Sequence, residues 1–170
     1  QFSKKSYAKL NLSLYVGPPE KGGYHPLVSI FQAIDLHDTI TFSTTNNQYH
    51  TVSFDDVSID SKTNTCSSIL EKLEPKLSNY WDISIQKIIP MGAGLGGGSS
   101  NAATILKELN DKESLDIPAL SLKNIAATVG ADVPFFMGPP TALVEGFGER
   151  ITPIQIKSAN TYLLIYPEIS

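Results

Sequence analysis

Cysteine occurs once in these 170 residues, as Cys66, which excludes an internal disulfide framework and fits a reducing compartment. Cys66 itself reads as a small helix residue rather than a nucleophile. No block of Lys or Arg stands out against a formal charge of −4, so a general binder of nucleic acid or of a membrane surface is not expected. No apolar run approaches the roughly 20 residues a membrane-spanning helix needs, and no signal-peptide pattern is visible. Internal repeats and low-complexity tracts are absent as well. What remains is 41% apolar residues, enough chain for one ordinary domain with a real core.

Glycine is present at an ordinary level, 12 residues, but is concentrated in one place. Five glycines fall within the seven residues from Gly92 to Gly98, inside the run from Pro90 to Ala103. They stand between an alternating apolar stretch (Trp81 to Ile89) and a helix-forming one (Ala102 to Leu109). Glycine serves where backbone takes positive φ or approaches a bulky ligand closely, at a cost in ordering entropy. A loop of bare N–H groups wrapping a phosphate, with the next helix aiming its positive end at the same anion, justifies that cost. Ser99, Ser100 and Asn101 are all suited to capping the helix, and could also give hydroxyl or amide donors to phosphate oxygens or Mg²⁺. A P-loop needs a Lys-Ser/Thr pair straight after its last glycine, and the next lysine is Lys107, so that reading fails. Gly92, Gly94 and Gly97 do satisfy G-x-G-x-x-G, with Asp116 near the spacing of a ribose-binding acid. A dinucleotide fold needs a buried strand before that acid, however, and the stretch from Asn110 to Asp116 is polar and turn-like.

Apolar periodicity sets the expected frame. Ser6 to Val16 alternates, with Ala8, Leu10, Leu12, Leu14 and Val16 on one face and Lys9, Asn11, Ser13 and Tyr15 on the other. Leu27 to Leu36 reads as a strand buried on both faces, Asp38 to Ser43 as its hairpin partner, and Tyr49 to Phe54 as a weaker strand. Helices are expected over Asn64–Leu77, Ser100–Asn110 and Pro118–Val129, the last opened by its proline. Strands are expected over Trp81–Ile89, Phe135–Met137, Thr141–Glu145 and Thr161–Tyr166. Strands first, then helices interleaved with strands, favour an α+β fold over a doubly wound sheet.

Three more segments carry chemistry-bearing residues: Ala8-Lys-Leu-Asn-Leu12, Gly23-Tyr-His25 and Gly130-Ala-Asp-Val-Pro-Phe-Phe136. Lysine is disfavoured in a short-period apolar strand unless its head reaches water or an anion, so Lys9 is either a bland edge-strand lysine or an anion partner. Asp132, in a Gly…Pro turn, suits an Asx turn as well as a catalytic role. Tyr24-His25 alone could be loop packing.

Taken together and in this order, the segments resemble the GHMP kinase superfamily over essentially the whole chain. The resemblance rests on Ala8–Leu12, Tyr24-His25 with Phe31-Gln32 and Leu36-His-Asp38, Pro90–Ala103, Gly130-Ala-Asp-Val-Pro134, and Thr141-Ala followed by Glu145-Gly-Phe-Gly-Glu149. The triple glycine and the Gly-Ala-Asp-Val-Pro run point to the branch that phosphorylates 4-diphosphocytidyl-2-C-methyl-D-erythritol, over the mevalonate, homoserine or galactose branches. The fold so implied is the α+β N-terminal domain of these kinases (ribosomal protein S5 domain 2-like). Residues 1–170 would form that ATP-binding domain, with the connection to a C-terminal domain starting near 160–170. That further domain would hold a third glycine-rich motif and the second aromatic ring of a cytosine clamp.

The resemblance also implies roles. Asp132 is the base for the substrate's tertiary hydroxyl and Lys9 its partner, a pair suited to phosphoryl transfer, where positioning and charge stabilisation do most of the work. Gly92, Gly94, Leu95, Gly96, Gly97 and Gly98 with Pro90, Ser99 and Ser100 form the ATP triphosphate cradle, Ser100 being the candidate Mg²⁺ ligand. Asn64 and Lys87 contact the nucleotide. Asn11, Tyr24 and His25 lie on the substrate side, Tyr24 stacking on cytosine and His25 reading its edge. Cofactors are ATP and Mg²⁺, and the location is a bacterial cytoplasm or a plastid-type organelle. Three residues depart from the pattern: Pro139-Pro140 where glycines are usual, and Tyr7 before the Ala-Lys pair. A nucleotide-binding lobe without catalysis, or a kinase for another small alcohol, are the alternatives.

Overall fold

The computed structural model describes the chain except for residues 20–22, 24, 57, 157–159 and 168–170. Its frame is the strand β2 (Leu27–Thr45), paired antiparallel along one edge with β1 (Phe2–Val16), from Phe2 opposite Phe42 to Val16 opposite Leu27. The other edge of β2 is divided. β5 (Thr141–Gly146) pairs with Leu27–Gln32, and β4 (Tyr80–Gln86) pairs with Thr39–Thr45. Residues 33–38 lie between the two, where this edge has no strand partner. β3 (Thr51–Phe54) runs parallel to β4, and β6 (Arg150–Pro153) pairs with β5.

The hairpin expected between Leu36 and Asp38 does not form, and β2 is continuous through both. No Gly or Asn stands there to supply the positive φ of a tight hairpin turn, while Thr39, Ile40, Thr41 and Phe42 favour extended backbone.

The helices α1 (Thr65–Leu73), α2 (Gly97–Lys112) and α3 (Ala119–Ala127) cover one face, giving the expected α+β arrangement. Ile40, Phe42, Trp81, Ile83 and Ile85 from the sheet meet Ile69, Leu73, Ile105, Leu106 and Leu109 in the main core. The alternation in β4 is complete, with Trp81, Ile83 and Ile85 inside and Asp82, Ser84 and Gln86 outside. Ala102 and Ala103, fully buried, keep the start of α2 close to its neighbours. Among the described residues no helix is long and apolar enough to cross a membrane.

Four expectations need correction. α2 begins at Gly97, so Ser99, Ser100 and Asn101 lie inside the helix, and the capping position is Gly96 in the left-handed region. Phe135–Met137 is a short 3-10 turn after Pro134, not a strand. Residues 161–166 form no strand, and Leu163 and Ile165 are 87% and 78% exposed. Tyr162 is tied instead through its hydroxyl to Gln32 Oε1 at 2.7 Å, and Tyr166 to the Met91 carbonyl at 3.3 Å. Finally, the apolar face of β1 is buried only at Ala8 and partly at Leu10, with Leu12, Leu14 and Val16 exposed. β6 had no counterpart among the expected strands.

Candidate active site

The glycine run leaves β4 and turns into α2. Gly92, Gly94 and Gly96 have φ of +69°, +72° and +70°, a left-handed conformation at every second residue that side chains disfavour. Gly96 is also pressed from both sides: a Cβ there would sit 2.9 Å from Phe136 Cζ and 3.1 Å from Lys9 Cγ. At Gly97 it would sit 3.0 Å from Ile89 Cγ2 and 3.1 Å from Lys87 Nζ. Buried Leu95 anchors the loop. The result is an open cleft of about 280 Å³ lined by Thr65, Lys87 and the loop from Pro90 to Ser99. Thr65 Oγ1 donates to the Gly98 carbonyl at 2.9 Å, joining the start of α1 to the start of α2. With the unpaired N–H groups at the start of α2 and the Lys87 ammonium at its wall, this cleft suits an anion.

Beside the cleft, the pairing of β1 with β2 slips between Tyr7 and Lys9. This irregularity lets the Lys9 N–H leave the ladder and bond the Leu95 carbonyl at 2.9 Å, a common use of bulges next to active sites. Ala8 and Lys9 are both buried as a consequence. The Lys9 ammonium lies 2.6 Å from Asn11 Oδ1, 3.5 Å from Asp132 Oδ2 and 4.4 Å from the centre of the Phe31 ring. A buried cation is tolerated when it is held by acceptors and a ring face in this way. The Asp132 side chain, 31% exposed, presents its carboxylate to solvent as well as to Lys9. Its turn is backed by the β5–β6 connection, where a Cβ on Gly148 would fall 2.7 Å from the Ala131 carbonyl oxygen.

A second carboxylate lies deeper. Asp38 is fully buried; its Oδ1 accepts from the Ile88 and Ile89 N–H groups at 2.7 and 2.8 Å. Its Oδ2 accepts from Asn101 Nδ2 at 3.0 Å and from the Lys87 ammonium. Nearby Cys66 is buried, which pushes its thiol up to about 12; it is an inert helix residue at neutral pH.

The structure thus brings Lys9, Asn11 and Asp132 together, and places Lys87, Pro90, Gly92, Gly94, Leu95, Gly96, Gly97, Gly98 and Ser99 around one cleft. Three expected residues fall elsewhere. Asn64 caps α1, its Oδ1 accepting from the N–H groups of Cys66 and Ser67, while its neighbour Thr65 faces the cleft. Ser100, expected as a metal ligand, is turned by the helix toward β1, where its buried Oγ accepts from Ser6 Oγ at 2.7 Å. It does not line the cleft; Ser99 does. His25 sits at the β1–β2 connection with Nδ1 2.9 Å from the Gly17 carbonyl, and Tyr24 lies outside the described residues. Among the described residues no group of three or more His, Cys, Asp or Glu is placed to hold a metal. Asp38 and Phe31 were visible only as part of the resemblance, and Thr65 and Ser6 not at all. An acidic residue within an apolar strand was the available signal for Asp38.

Residues 64–138 match the GHMP kinases N terminal domain. The chain is 42% identical over 177 residues to 4-diphosphocytidyl-2-C-methyl-D-erythritol kinase of Alkaliphilus oremlandii, covering 100% of this chain and 60% of the relative. It is 37% identical over 172 residues to the kinase of the same name from Thermodesulfovibrio yellowstonii, covering 98% and 58%. A crystal structure of 4-(cytidine 5'-diphospho)-2C-methyl-D-erythritol kinase superposes with a TM-score of 0.75 at 32% identity, over 90% of this chain and 55% of that one. Mevalonate kinase shares the fold, with a TM-score of 0.67 at 14% identity. The chain spans a little under two thirds of the length of the curated relatives it matches.

Proposed function

We propose that this chain, whose residues 64–138 match the GHMP kinases N terminal domain, is the N-terminal lobe of an enzyme transferring the γ-phosphoryl group of ATP to the 2-hydroxyl of 4-diphosphocytidyl-2-C-methyl-D-erythritol, a step in isoprenoid precursor synthesis. The observation that carries this reading is the Lys9–Asp132 pair, 3.5 Å apart, set against a glycine loop whose shape requires glycine. The relatives' printed names supply the acceptor.

In this reading the loop N–H groups, the start of α2 and Lys87 hold the triphosphate, with Thr65 fixing the loop to α1. Asn64, as the cap of α1, acts on the nucleotide through that helix end. Asp132 takes the proton of the 2-hydroxyl as its oxygen bonds to the γ-phosphorus. The bond from that phosphorus to the β,γ-bridging oxygen breaks, and the electron pair leaves with ADP. Lys9, held by Asn11 and Phe31, stabilises the negative charge that develops on the attacking oxygen. Asn11, Tyr24 and His25 belong to the substrate side. Mg²⁺ bound with ATP would neutralise phosphate charge; this chain offers it the Ser99 hydroxyl on the cleft and, among the described residues, no acidic cage, a donor set that suits an ion held mainly by the phosphates. Residues 1–170 are read as one ATP-binding domain leading into a C-terminal domain near 160–170, working in the cytoplasm.

The test is ADP release from ATP and Mg²⁺, with and without diphosphocytidyl-methylerythritol, using this chain and a form extended to the length of its relatives. Acceptor-dependent ADP from the extended form is expected. Absence of ADP from either, both being folded and binding ATP, would overturn the acceptor and send the search to other small alcohols. The partial coverage of the relatives favours one further outcome: ATP binding without transfer by the 170-residue chain alone.

A further inference from the structure

We propose that Asp38 is a positioning residue of the nucleotide site, holding the Lys87 ammonium and the backbone that leads into the glycine loop. This rests on the reading of that loop as a triphosphate cradle. The last ladder pair of β2 with β4 is Thr39 with Gln86. In a continued ladder Asp38 would face Lys87 through the backbone. Instead the Asp38 carboxylate reaches the N–H groups of Ile88 and Ile89, and the chain departs from the sheet there toward Pro90. Asp38 therefore sits where β4 gives way to the loop, beside the stretch of β2 edge that neither β4 nor β5 covers.

Two neutral acceptors would satisfy those N–H groups. A full negative charge, wholly buried, answers to something else, and the Lys87 ammonium is what it meets. Lys87 in turn stands 3.1 Å from where a Cβ of Gly97 would be, at the first residue of α2. A lysine there is repelled by the positive end of the helix; without Asp38 its flexible stem would carry the charge out to water. Asp38 keeps it at the cleft wall before any anion arrives, which lowers the reorganisation that binding requires. Asn101 completes the arrangement by giving its amide N–H to Asp38, while its own buried Oδ1 finds no hydrogen-bond partner among the described residues. Asn101 is thus held at some cost as a donor to this carboxylate.

The experiment is a titration of ATP and of inorganic tripolyphosphate into the wild-type chain, Asp38→Asn, Lys87→Gln and the double variant. Expected is a loss of roughly tenfold for each single variant, the size of one charge-assisted hydrogen bond, and a double variant no weaker than Lys87→Gln. Additive losses, or wild-type affinity in Asp38→Asn, would overturn the positioning role while leaving the cradle intact. No binding of either probe by the wild-type chain would remove the cradle and this proposal with it. Should Asp38→Asn not fold, the wild-type chain labelled with ¹⁵N at lysine decides. A Lys87 ammonium resonance protected from water exchange and shifted by tripolyphosphate supports the proposal; one that exchanges like the exposed lysines, or stays unmoved, refutes it.

Discussion

Two lysine–aspartate pairs flank the glycine loop, and they differ in how far each carboxylate is closed off. Lys9 is buried and held by three neighbours, yet its partner Asp132 keeps an open side and a separation of 3.5 Å. Lys87 meets Asp38, whose two oxygens already accept from two N–H groups and an amide as well as the ammonium, with no exposure at all. A carboxylate with no path to solvent cannot be reached by a substrate hydroxyl; one with an open side can. This difference is the geometric basis of the proposed division, the open pair for proton transfer and the closed pair for holding Lys87 and the loop.

The sharpest way to break this contrast is Asp132→Asn. Phosphoryl transfer should fall by about 10³–10⁴-fold, at the upper end for removal of a general base, while ATP affinity, measured by titration, stays within about twofold of wild type. Asp38→Ala should do the reverse in its first effect, costing about 3–5 kcal/mol of stability in urea unfolding because it breaks the buried pair and leaves the N–H groups of Ile88 and Ile89 and the Asn101 amide without an acceptor. Asp132→Ala should cost clearly less, about 1–2 kcal/mol by the same measurement, because this carboxylate is partly exposed and Lys9 keeps Asn11 and the Phe31 ring. Equal losses of stability would end the distinction.

The glycines beside each pair sharpen it further. Gly96→Ala combines left-handed backbone with contacts against Phe136 and the Lys9 stem, and should cost about 2 kcal/mol and slow transfer. Gly97→Ala keeps helical backbone and presses on Ile89 and the Lys87 ammonium; about half that loss is expected, with weaker ATP binding as its signature.

The smallest effect tests a carboxylate outside both pairs. Burial raises Glu113, but hydrogen bonds from Asn79, Ser78 and Trp81 outweigh it and hold the group below its ordinary value. Its folded-state pKa being the lower one, its stabilisation is full above about pH 4.5 and fades as pH falls through the folded value. Glu113→Gln should flatten that acid branch and lower Tm near neutrality by no more than about 3 °C. An unchanged acid branch in thermal melts from pH 3 to 6 would deny Glu113 that part.

Local pattern accounts for much of this protein. Periodicity located the three helices and the strands β1, β4 and β5; in the helices and in β4 burial of one face repeats along the chain, whereas the alternation of β1 marks extended backbone whose apolar face is covered only at Ala8 and Leu10. Five glycines between two apolar elements announced the loop, since only glycine takes left-handed backbone at Gly92, Gly94 and Gly96 without strain. Lys9 and Asp132 were legible through a resemblance of motifs, not through spacing. Tertiary structure alone decided the rest. Whether β2 turns at His37 or runs through depends on which strands line its edges. Whether Ser99 or Ser100 faces the cleft depends on where α2 begins, and one residue of helix turns a side chain by about 100°. That Lys9 lies inside follows from the slip against β2. That Asp38 meets Lys87 joins a residue of β2 to the one just past the end of β4, for contacts distant in sequence are set by how the sheet closes around the loop.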